Sequence, residues 1–224
     1  MKIVERCNIK FGFFITFEGN VIHEEYTPFN DVVVFDNNHF GRVMMINDSV
    51  QFTTMDESIY HKAMVAKVPS YAKSVLVIGG GDGGIARELR NLNVDKITIV
   101  DLDKRISEIS KMFFPSVWNN LDKDTRCELV FQDAMSFVDK MQEYDYCVVD
   151  LTDPDVNSKD LYTKEFFEKI KCKGLSIQLG TPNMQRGQEL VDMLREQWNY
   201  LEEDFVNIPC FIGGPLLIAY CNAE

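Results

Sequence analysis

The spacing of hydrophobic positions divides the chain into two regions. In the first, short apolar runs such as VVVF (Val32–Phe35) and VMMI (Val43–Ile46) are separated by turn-forming residues, and no helical stretch lies between them. Apolar runs of this length, bounded by Asn, Asp and Gly, are typical of strands joined by tight turns. The pattern predicts a small antiparallel β-hairpin domain over residues 1–55.

A second pattern, in which apolar runs alternate with amphipathic stretches, begins at about Lys73. Strands that alternate with helices predict a parallel sheet covered on both faces, and the last apolar run, PLLIAYC, predicts a closing strand. We therefore predict an α/β domain over residues 56–224. The predicted strands are SVLVIGGG, KITIVDLD, CELVFQDA, YDYCVVDLTD and GLSIQL, and the predicted helices are IARELRNL, KRISEISKMFF, SFVDKM, TKEFFEKI and ELVDMLREQW.

A glycine-rich loop is the strongest local signal in the second region. The strand Val75–Ile78 is followed directly by GGGDGG (Gly79–Gly84), and a carboxylate ends the next strand at Asp101 or Asp103. Glycines between a strand and a helix let the backbone approach a nucleotide, and an acidic residue about 20 positions later can accept hydrogen bonds from ribose hydroxyls. We predict nucleotide or nucleoside binding. The alternative is a set of tight turns that serve only packing.

The residue at the centre of this loop, Asp82, indicates the charge of the ligand. A carboxylate at this position would repel a pyrophosphate, whereas it would attract an ammonium or a sulfonium cation. The loop therefore favours an adenosyl sulfonium over NAD. Gln132–Ala134 follows the third strand of the α/β region, at a position from which a side chain could reach the adenine amine.

Further carboxylates follow the fourth strand, which ends at Asp150, and Asp153 comes shortly afterwards before Pro154. Ligands of open α/β sheets bind beyond the carboxyl ends of the strands, and clustered carboxylates are costly unless cations neutralise them. A bound polyamine would neutralise them. For Asp153–Pro154, simple turn chemistry is an equal alternative. The carboxylates that we expect to face one crevice are Asp82, Asp101, Asp133, Asp150 and Asp153.

Composition narrows the classes of function. The net charge of −12 disfavours a nucleic-acid partner, because phosphates would be repelled along the whole surface. No apolar run approaches the roughly 20 residues that a membrane-spanning helix needs, and the start of the chain lacks the apolar stretch of a signal peptide. The six cysteines and three histidines show no metal-ligand spacing. We expect a cytoplasmic protein with no metal, no membrane association and no permanently bound cofactor.

Four motifs of the α/β region carry a resemblance to a known family. They are GGGDGGIARE (Gly79–Glu88), VDLD (Val100–Asp103), FQDA (Phe131–Ala134) and YDYCVVDLTDP (Tyr144–Pro154). They resemble the motifs of the spermidine/spermine synthase family of polyamine aminopropyltransferases, and spermidine synthase in particular. The resemblance implies a Rossmann-like, methyltransferase-type doubly wound α/β sheet. It also implies an N-terminal β-hairpin domain, through which the family forms dimers or tetramers.

The resemblance further implies a reaction and roles for individual residues. The family transfers an aminopropyl group from a co-substrate, decarboxylated S-adenosylmethionine, to an amine, by default putrescine, giving spermidine and methylthioadenosine. Asp150 would act on the acceptor nitrogen as the catalytic residue. Asp82 would hold the aminopropyl ammonium, Asp101 the ribose hydroxyls and Asp133 the adenine amine. The implied donor-binding residues are Gly79, Gly81, Asp82, Asp101, Asp133 and Ala134, and the implied substrate-binding residues are Gln51, Tyr60, Asp82, Asp153 and Gln178.

The acceptor side departs from the family pattern more than the donor side does. After the fifth strand this chain offers Gln178 and Thr181 but no carboxylate, and Phe211 stands near the C-terminus where a pocket tyrosine is usual. On the donor side, Asp101 is one carbon shorter than the more usual Glu. These differences leave the identity of the acceptor amine open.

Two other functions remain compatible with the sequence. A methyltransferase that uses S-adenosylmethionine could share the fold, although Asp82 argues against it. A catalytically silent relative could bind a nucleoside or a polyamine, although the presence of both Asp150 and Asp153 argues against that.

We expect His61 to be a packed, hydrogen-bonded residue and not a catalytic one.

Overall fold

The computed structural model describes residues 2–8, 13–152, 158, 160–181, 185–212 and 214–222. Its N-terminal part consists of two antiparallel sheets, which confirms the predicted hairpin module. The first sheet has two strands, and in the second each of four strands pairs with the next along the chain. The strands are β1 (Lys2–Asn8), β2 (Phe13–Glu18), β3 (Asn20–Tyr26), β4 (Asp31–Asn37), β5 (Gly41–Ile46) and β6 (Ser49–Thr53).

The α/β part is built on a seven-stranded sheet with the strand order β12-β13-β11-β10-β7-β8-β9. The five strands from β11 to the β9 edge are parallel, whereas β12 and β13 join the β11 side in antiparallel pairing. These strands are β7 (Ser74–Gly79), β8 (Lys96–Asp101), β9 (Cys127–Phe131), β10 (Tyr146–Asp150), β11 (Gly174–Gln178), β12 (Tyr200–Val206) and β13 (Leu216–Asn222).

Helices follow most of the parallel strands, as the alternating pattern predicted. A 3-10 turn at Leu121–Lys123 lies before β9. None of the helices in the described part of the chain is both long and apolar enough to cross a membrane. The helices are α1 (Glu57–Val65), α2 (Gly84–Leu89), α3 (Lys104–Phe113), α4 (Pro115–Trp118), α5 (Ala134–Val138), α6 (Lys164–Lys169) and α7 (Gln185–Gln197).

The central sheet has a hydrophobic core on each face, so the fold is doubly wound. Along β7, Val75 and Val77 point into one core and Leu76 and Ile78 point into the other, as the two-residue period of a strand requires. The first core is completed by α1, α2 and part of the N-terminal strands, and the second by α5, α6 and α7. The near-continuous apolar runs of the sequence are therefore explained by burial on both faces.

The strand order places a topological switch point between β7 and β10. The chain runs from β7 outward to β8 and β9, then returns to form β10 on the other side of β7. Ligands of doubly wound sheets bind in the crevice at such a point, beyond the carboxyl ends of the strands. The glycine loop after β7 and Asp150 at the end of β10 both lie there.

The N-terminal four-stranded sheet packs against α3 and so lies beside this crevice. Val32 and Met44 of the sheet share a third apolar cluster with Ile106 and Ile109 of α3. An ion pair between Glu25 and Arg105, with contacts of 2.7 Å, adds to this packing. The N-terminal module therefore forms one wall of the site.

Asp56, the residue before α1, links distant parts of the chain. It is 1% exposed, its Oδ1 accepts a hydrogen bond from Thr53 Oγ1 at 2.6 Å, and its Oδ2 accepts one from the main-chain nitrogen of Cys210 at 2.8 Å. A buried donor that loses its acceptor costs more free energy than the net value of the hydrogen bond. Asp56 therefore ties the loop before β13 to the N-terminal sheet.

We expect Asp56→Ala to lower the free energy of unfolding by about 2 kcal/mol, since the Thr53 hydroxyl and the Cys210 N–H would both remain buried without an acceptor. Urea unfolding followed by circular dichroism would measure the change. The matched control is Asp95→Ala, at an exposed position, for which a change below about 0.5 kcal/mol is expected. Equal stability of the two variants would contradict this role for Asp56.

Candidate active site

The glycine loop after β7 approaches two strand ends closely. Gly79 has a φ angle of +80°, in the left-handed region that favours glycine. A Cβ atom at Gly79 would lie 2.0 Å from the carbonyl oxygen of Asp150, and one at Gly81 would lie 2.5 Å from Oδ2 of Asp101. Side chains are therefore excluded at both glycines, and the main chain of the loop lies directly against the carboxyl ends of β8 and β10.

Asp101, at the end of β8, is oriented by main-chain N–H groups. Its Oδ2 accepts a hydrogen bond from Gly81 at 2.9 Å, and its Oδ1 accepts one from Asp103 at 2.8 Å. Burial raises the pKa of Asp101 to about 6; the two N–H groups oppose this rise, and the neighbouring Asp82 adds to it. The carboxylate keeps lone pairs that can accept hydrogen bonds from hydroxyl groups.

Asp103, the other carboxylate that the sequence offered for the ribose, has partners within the protein. Its Oδ1 accepts a hydrogen bond from the Arg105 nitrogen and thereby caps α3. Its Oδ2 accepts hydrogen bonds from Thr27 Oγ1 at 2.5 Å and Asn30 Nδ2 at 2.9 Å. Asp103 thus connects the β3–β4 turn to α3, and of the two carboxylates Asp101 is the one better placed for a ligand.

Asp82, in the centre of the glycine loop, is supported by its own loop and by α3. Its Oδ1 accepts a hydrogen bond from the Gly84 nitrogen at 2.7 Å. Ser110 donates to the main-chain oxygen of Asp82 at 2.6 Å, and Ser107 donates to that of Gly81 at 2.7 Å. The two serines therefore fix the loop in the conformation that brings the Asp82 carboxylate to the crevice.

Asp150 lies at the switch point with Tyr60 beside it. Tyr60 Oη donates a short hydrogen bond to Oδ1 of Asp150. Burial raises the pKa of Asp150 to about 7, the charge of Asp82 adds to the rise, and the Tyr60 hydrogen bond and His61 oppose it. A carboxylate with a pKa near neutrality can take up a proton in a reaction at physiological pH.

These side chains border one cavity of about 630 Å³. Its carboxylates are concentrated at the strand ends, while the rest of the wall is largely apolar. This combination suits a ligand with an aromatic part and a cationic part. The apolar residues of the lining are Phe29, Met44, Ile46, Val50, Phe52, Val100, Leu102, Ile106, Ala134, Leu151, Leu161, Phe211, Ile212 and Leu216.

Comparison with protein families identifies the chain. Residues 52–190 match the family model described as the spermine/spermidine synthase domain, and residues 3–54 match that of the spermidine synthase tetramerisation domain. The chain belongs to the spermine/spermidine synthase family. The resemblance seen in its motifs is therefore confirmed, and the protein is an enzyme of the aminopropyltransferase type.

Individual relatives extend the comparison over nearly the whole chain. A polyamine aminopropyltransferase of Escherichia fergusonii is 34% identical over 231 residues, which cover 97% of this chain and 80% of the relative. One from Buchnera aphidicola subsp. Schizaphis graminum is 33% identical over 215 residues, which cover 89% of this chain and 74% of the relative. Sequence identity therefore extends well beyond the four motifs.

Solved structures confirm the predicted fold. Spermidine synthase in complex with the transition state analogue AdoDATO superposes with a TM-score of 0.93 at 21% identity, over 100% of this chain and 80% of that one. Spermidine synthase from Thermotoga maritima gives a TM-score of 0.90 at 22% identity with the same coverage. At these levels of identity the likeness establishes the architecture of the aminopropyltransferase.

Two other residues expected at the site of the aminopropyltransferase line the cavity and also make hydrogen bonds within the protein. Asp133 caps α5, because its Oδ1 accepts a hydrogen bond from Ser136 at 2.8 Å. Gln51 donates from Nε2 to the Ser49 carbonyl at 3.0 Å. Asp153 lies outside the described residues. The expected residues that line the cavity are Gln51, Tyr60, Gly79, Gly81, Asp82, Asp101, Asp133, Ala134, Asp150 and Gln178.

Gln178, at the end of β11, reaches the cavity but uses both ends of its amide on the main chain. Its Nε2 donates to the Leu151 carbonyl at 2.5 Å, and its Oε1 accepts from the Gly180 nitrogen at 2.8 Å. It therefore holds together the loops that follow β10 and β11. Substrate binding by Gln178 stays a prediction.

The role of Glu5 and the pairing of Glu57 with His61 were not predicted from the sequence. Glu5 of β1 is buried, lines the cavity and accepts a hydrogen bond from the Val50 nitrogen at 3.0 Å, but no motif surrounds it. Glu57 and His61 lie four positions apart on α1 and contact each other at 2.6 Å, and Arg87 pairs with Glu57. The spacing of Glu57 and His61 on one helix face could have indicated this pair.

His61 is packed and hydrogen bonded, as its sequence context predicted. Within the described part of the chain, no group of three or more His, Cys, Asp or Glu side chains is arranged to hold a metal ion.

We expect Tyr60→Phe to move the acid limb of the pH profile of kcat/KM to higher pH by about 1 unit. The Tyr60 hydrogen bond holds the pKa of Asp150 down, so its loss raises that pKa and the ionised form appears only at higher pH. Aminopropyl transfer measured across a pH series would show the shift. Tyr144→Phe is the control, because it removes a buried hydrogen bond to Thr98 outside the cavity, and its profile should not move. A Tyr60→Phe profile that coincides with that of the wild type would contradict the coupling.

Proposed function

We propose that this aminopropyltransferase transfers the aminopropyl group of decarboxylated S-adenosylmethionine to an amine, putrescine by default, giving spermidine and methylthioadenosine. The observation that carries the proposal is the meeting of Asp82, Asp101 and Asp150 at one switch-point cavity with apolar walls. The names of the curated relatives and the analogue bound to a structural neighbour support the same reaction.

The donor fits the half of the cavity formed by the glycine loop and β8. Asp101 would accept hydrogen bonds from the ribose hydroxyls, Asp133 would accept one from the adenine amine, and Asp82 would pair with the aminopropyl ammonium. Gly79 and Gly81, which lie directly against Asp150 and Asp101, also line this half of the cavity. Unmodified S-adenosylmethionine carries its own carboxylate beside that ammonium, so Asp82 would disfavour it. This choice of donor distinguishes the proposed reaction from methyl transfer.

The acceptor amine would bind beside Asp150 and Tyr60. An aliphatic amine is protonated at neutral pH, with a pKa of about 10.4 in lysine, and only the free amine is a nucleophile. Asp150 would orient the nitrogen and accept its proton. The nitrogen lone pair would then form a bond to the carbon next to the sulfonium while the C–S bond breaks. Sulfur keeps that electron pair, and methylthioadenosine leaves as a neutral thioether.

We also propose that the enzyme is a homodimer or homotetramer. The N-terminal strands match a tetramerisation-domain model, and apolar side chains there are exposed in the single chain, with Val4 46% and Phe14 56% accessible. Such side chains on edge hairpins are suited to burial against another copy.

We expect methylthioadenosine to be released from decarboxylated S-adenosylmethionine when putrescine, cadaverine, spermidine and thermospermine are supplied one at a time. Release with one amine identifies the acceptor together with the reaction. Asp150→Asn should lower kcat by at least about 100-fold, because the proton acceptor is lost, while donor binding persists. Asp160→Asn, at an exposed position, is the control and should retain full turnover. Donor binding without release for any of the four amines would refute synthesis and favour a silent binding protein.

Asp82→Asn should weaken binding of decarboxylated S-adenosylmethionine by about 10-fold or more, the effect of losing one partly buried charge pair. The variant should also show a smaller preference for decarboxylated S-adenosylmethionine over S-adenosylmethionine, because the Asp82 carboxylate would no longer repel the carboxylate of S-adenosylmethionine. Competition between the two donors, measured by calorimetry, tests both effects. Methylthioadenosine lacks the ammonium, so its affinity should stay constant and serves as the control. An unchanged preference would exclude this role for Asp82.

A further inference from the structure

A row of buried charged side chains lies behind the cavity and ends on its wall. Arg87 of α2 donates two hydrogen bonds of 2.8 Å to the two carboxylate oxygens of Glu57. Glu57 Oε2 in turn lies 2.6 Å from Nδ1 of His61. The side chains of Arg87, Glu57 and His61 are 12%, 9% and 1% exposed. This row connects a fixed guanidinium to the imidazole that borders the site.

The row determines which nitrogen of His61 lies beside Asp82. Burial alone would raise the pKa of Glu57, but hydrogen bonds from His61 and Arg87 hold it at about 2. Because Glu57 is therefore a carboxylate, Nδ1 of His61 must carry a hydrogen and donate it. The other nitrogen, Nε2, is buried without a hydrogen-bond partner in the described structure and lies 3.5 Å from Oδ1 of Asp82.

The groups around His61 are predominantly anionic. Glu57 and the phenol of Tyr60 lie on the same helix, Asp82 faces the ring from the loop after β7, and Asp150 faces it from the end of β10. Burial lowers the pKa of His61, but Glu57, Asp82 and Asp150 outweigh burial, so the pKa is raised. The surroundings therefore favour a proton on Nε2, which would compensate the carboxylates of the cavity in the absence of a cationic ligand.

We propose that Glu57, braced by Arg87, is a positioning residue that holds His61 so that its Nε2 proton balances Asp82 and Asp150, and that this proton leaves for solvent when a substrate ammonium takes its place. The N–H bond at Nε2 breaks, the proton passes to the buffer, and the freed lone pair accepts a hydrogen bond from the ammonium. The exchange rests on the proposed function, in that the ligand near Asp82 is a cation.

The loss of the His61 proton on ligand binding follows from the positions of the imidazolium and the ligand ammonium. An imidazolium and an ammonium beside the same pair of carboxylates would repel each other, and within the partly dry cavity that repulsion is stronger than in water. The imidazolium can lose its proton near neutral pH, whereas the aliphatic ammonium cannot. Occupation of the site by a cation therefore lowers the pKa of His61, and the affinity for that cation rises with pH through the raised pKa of the unliganded enzyme.

Calorimetry with one cationic and one neutral adenosyl ligand tests whether a proton is released when a cation binds. Decarboxylated S-adenosylmethionine and methylthioadenosine share the adenosyl group, but only the first carries the aminopropyl ammonium and the sulfonium. Titrations at neutral pH in buffers of unlike ionisation enthalpy give the number of protons released on binding. We expect up to about one proton with decarboxylated S-adenosylmethionine and none with methylthioadenosine. Equal release with both ligands, or release with neither, would overturn the proposal.

A pair of variants assigns the role of Glu57. Glu57 and Glu88 are both buried partners of Arg87, with side chains 9% and 10% exposed, but only Glu57 contacts His61. Glu57→Gln should remove the part of the proton release that comes from His61, because His61 loses an adjacent charge that raises its pKa, and leave at most the proton that Asp150 can give up. The rise of donor affinity with pH should move to lower pH by about 1 to 3 units, the shift expected from losing an adjacent opposite charge. Glu88→Gln should leave both properties unchanged.

Asp150→Asn separates this proton from the one that Asp150 itself can carry. If His61 is the source, Asp150→Asn still releases a proton on donor binding, although fewer at a given pH because one charge that supports the imidazolium is gone. Loss of release in Asp150→Asn together with full release in Glu57→Gln would assign the proton to Asp150 and overturn the proposal.

Two further measurements distinguish a failure of the proposal from misfolding of a variant and from a failure of the proposed function. Unchanged methylthioadenosine affinity shows that Glu57→Gln is folded; if it does not fold, the wild-type ligand pair and Asp150→Asn still decide. Methylthioadenosine release with an amine present tests the proposed function separately. An enzyme that turns over but releases no proton on donor binding refutes only the exchange, whereas the absence of turnover refutes the proposed function.

Discussion

The mutual repulsion of carboxylates at one end of the central sheet is the constraint on which the rest of the structure depends. Asp82, Asp101 and Asp150 are brought together by the strand order, since β7, β8 and β10 are neighbours whose carboxyl ends meet. Burial raises the pKa of Asp101 and Asp150, and Asp82 raises each of them further. The repulsion between these carboxylates therefore destabilises the unliganded protein, and a cationic ligand would reduce that repulsion.

The surrounding structure counters that repulsion with oriented N–H groups and a short row of ion pairs. Main-chain nitrogens of the glycine loop and of Asp103 donate to Asp101, and Tyr60 donates to Asp150. Behind them, Arg87 and Glu57 support the imidazole of His61. These donors limit the mobility of the carboxylates, which are consequently positioned before a ligand arrives.

Much of this architecture could be predicted from the sequence, because its signals are local. The runs on β7, β8 and β10 are buried on both faces and so appear as continuous apolar segments, and the glycines between β7 and α2 mark the loop. By contrast, β12 (YLEEDFV) was not predicted, since three acidic residues interrupt its apolar pattern and its position is fixed by pairing with β13.

The candidate site was predictable where its residues follow strand ends, as Asp82, Asp101 and Asp150 do. Contacts between elements distant in sequence could not be read from the chain. Thr27 and Asn30 reach Asp103 across more than seventy residues, which commits Asp103 to structure and leaves Asp101 for a ligand. Glu5 enters the cavity wall from the first strand, and only tertiary packing brings it there.

The two halves of the cavity differ in how they tolerate substitution, and this difference has an evolutionary consequence. Beside β8 the glycine loop leaves no space for a Cβ at Gly79 or Gly81, so almost any substitution at these two glycines damages the loop. On the opposite side the wall consists of side chains such as Phe211 and Ile212, on a loop where exchanges require no rearrangement of the sheet. Under the proposed function, single mutations beside Phe211 and Ile212 can change the acceptor while the donor side is inherited unaltered, so lineages of this fold should diversify on one side only.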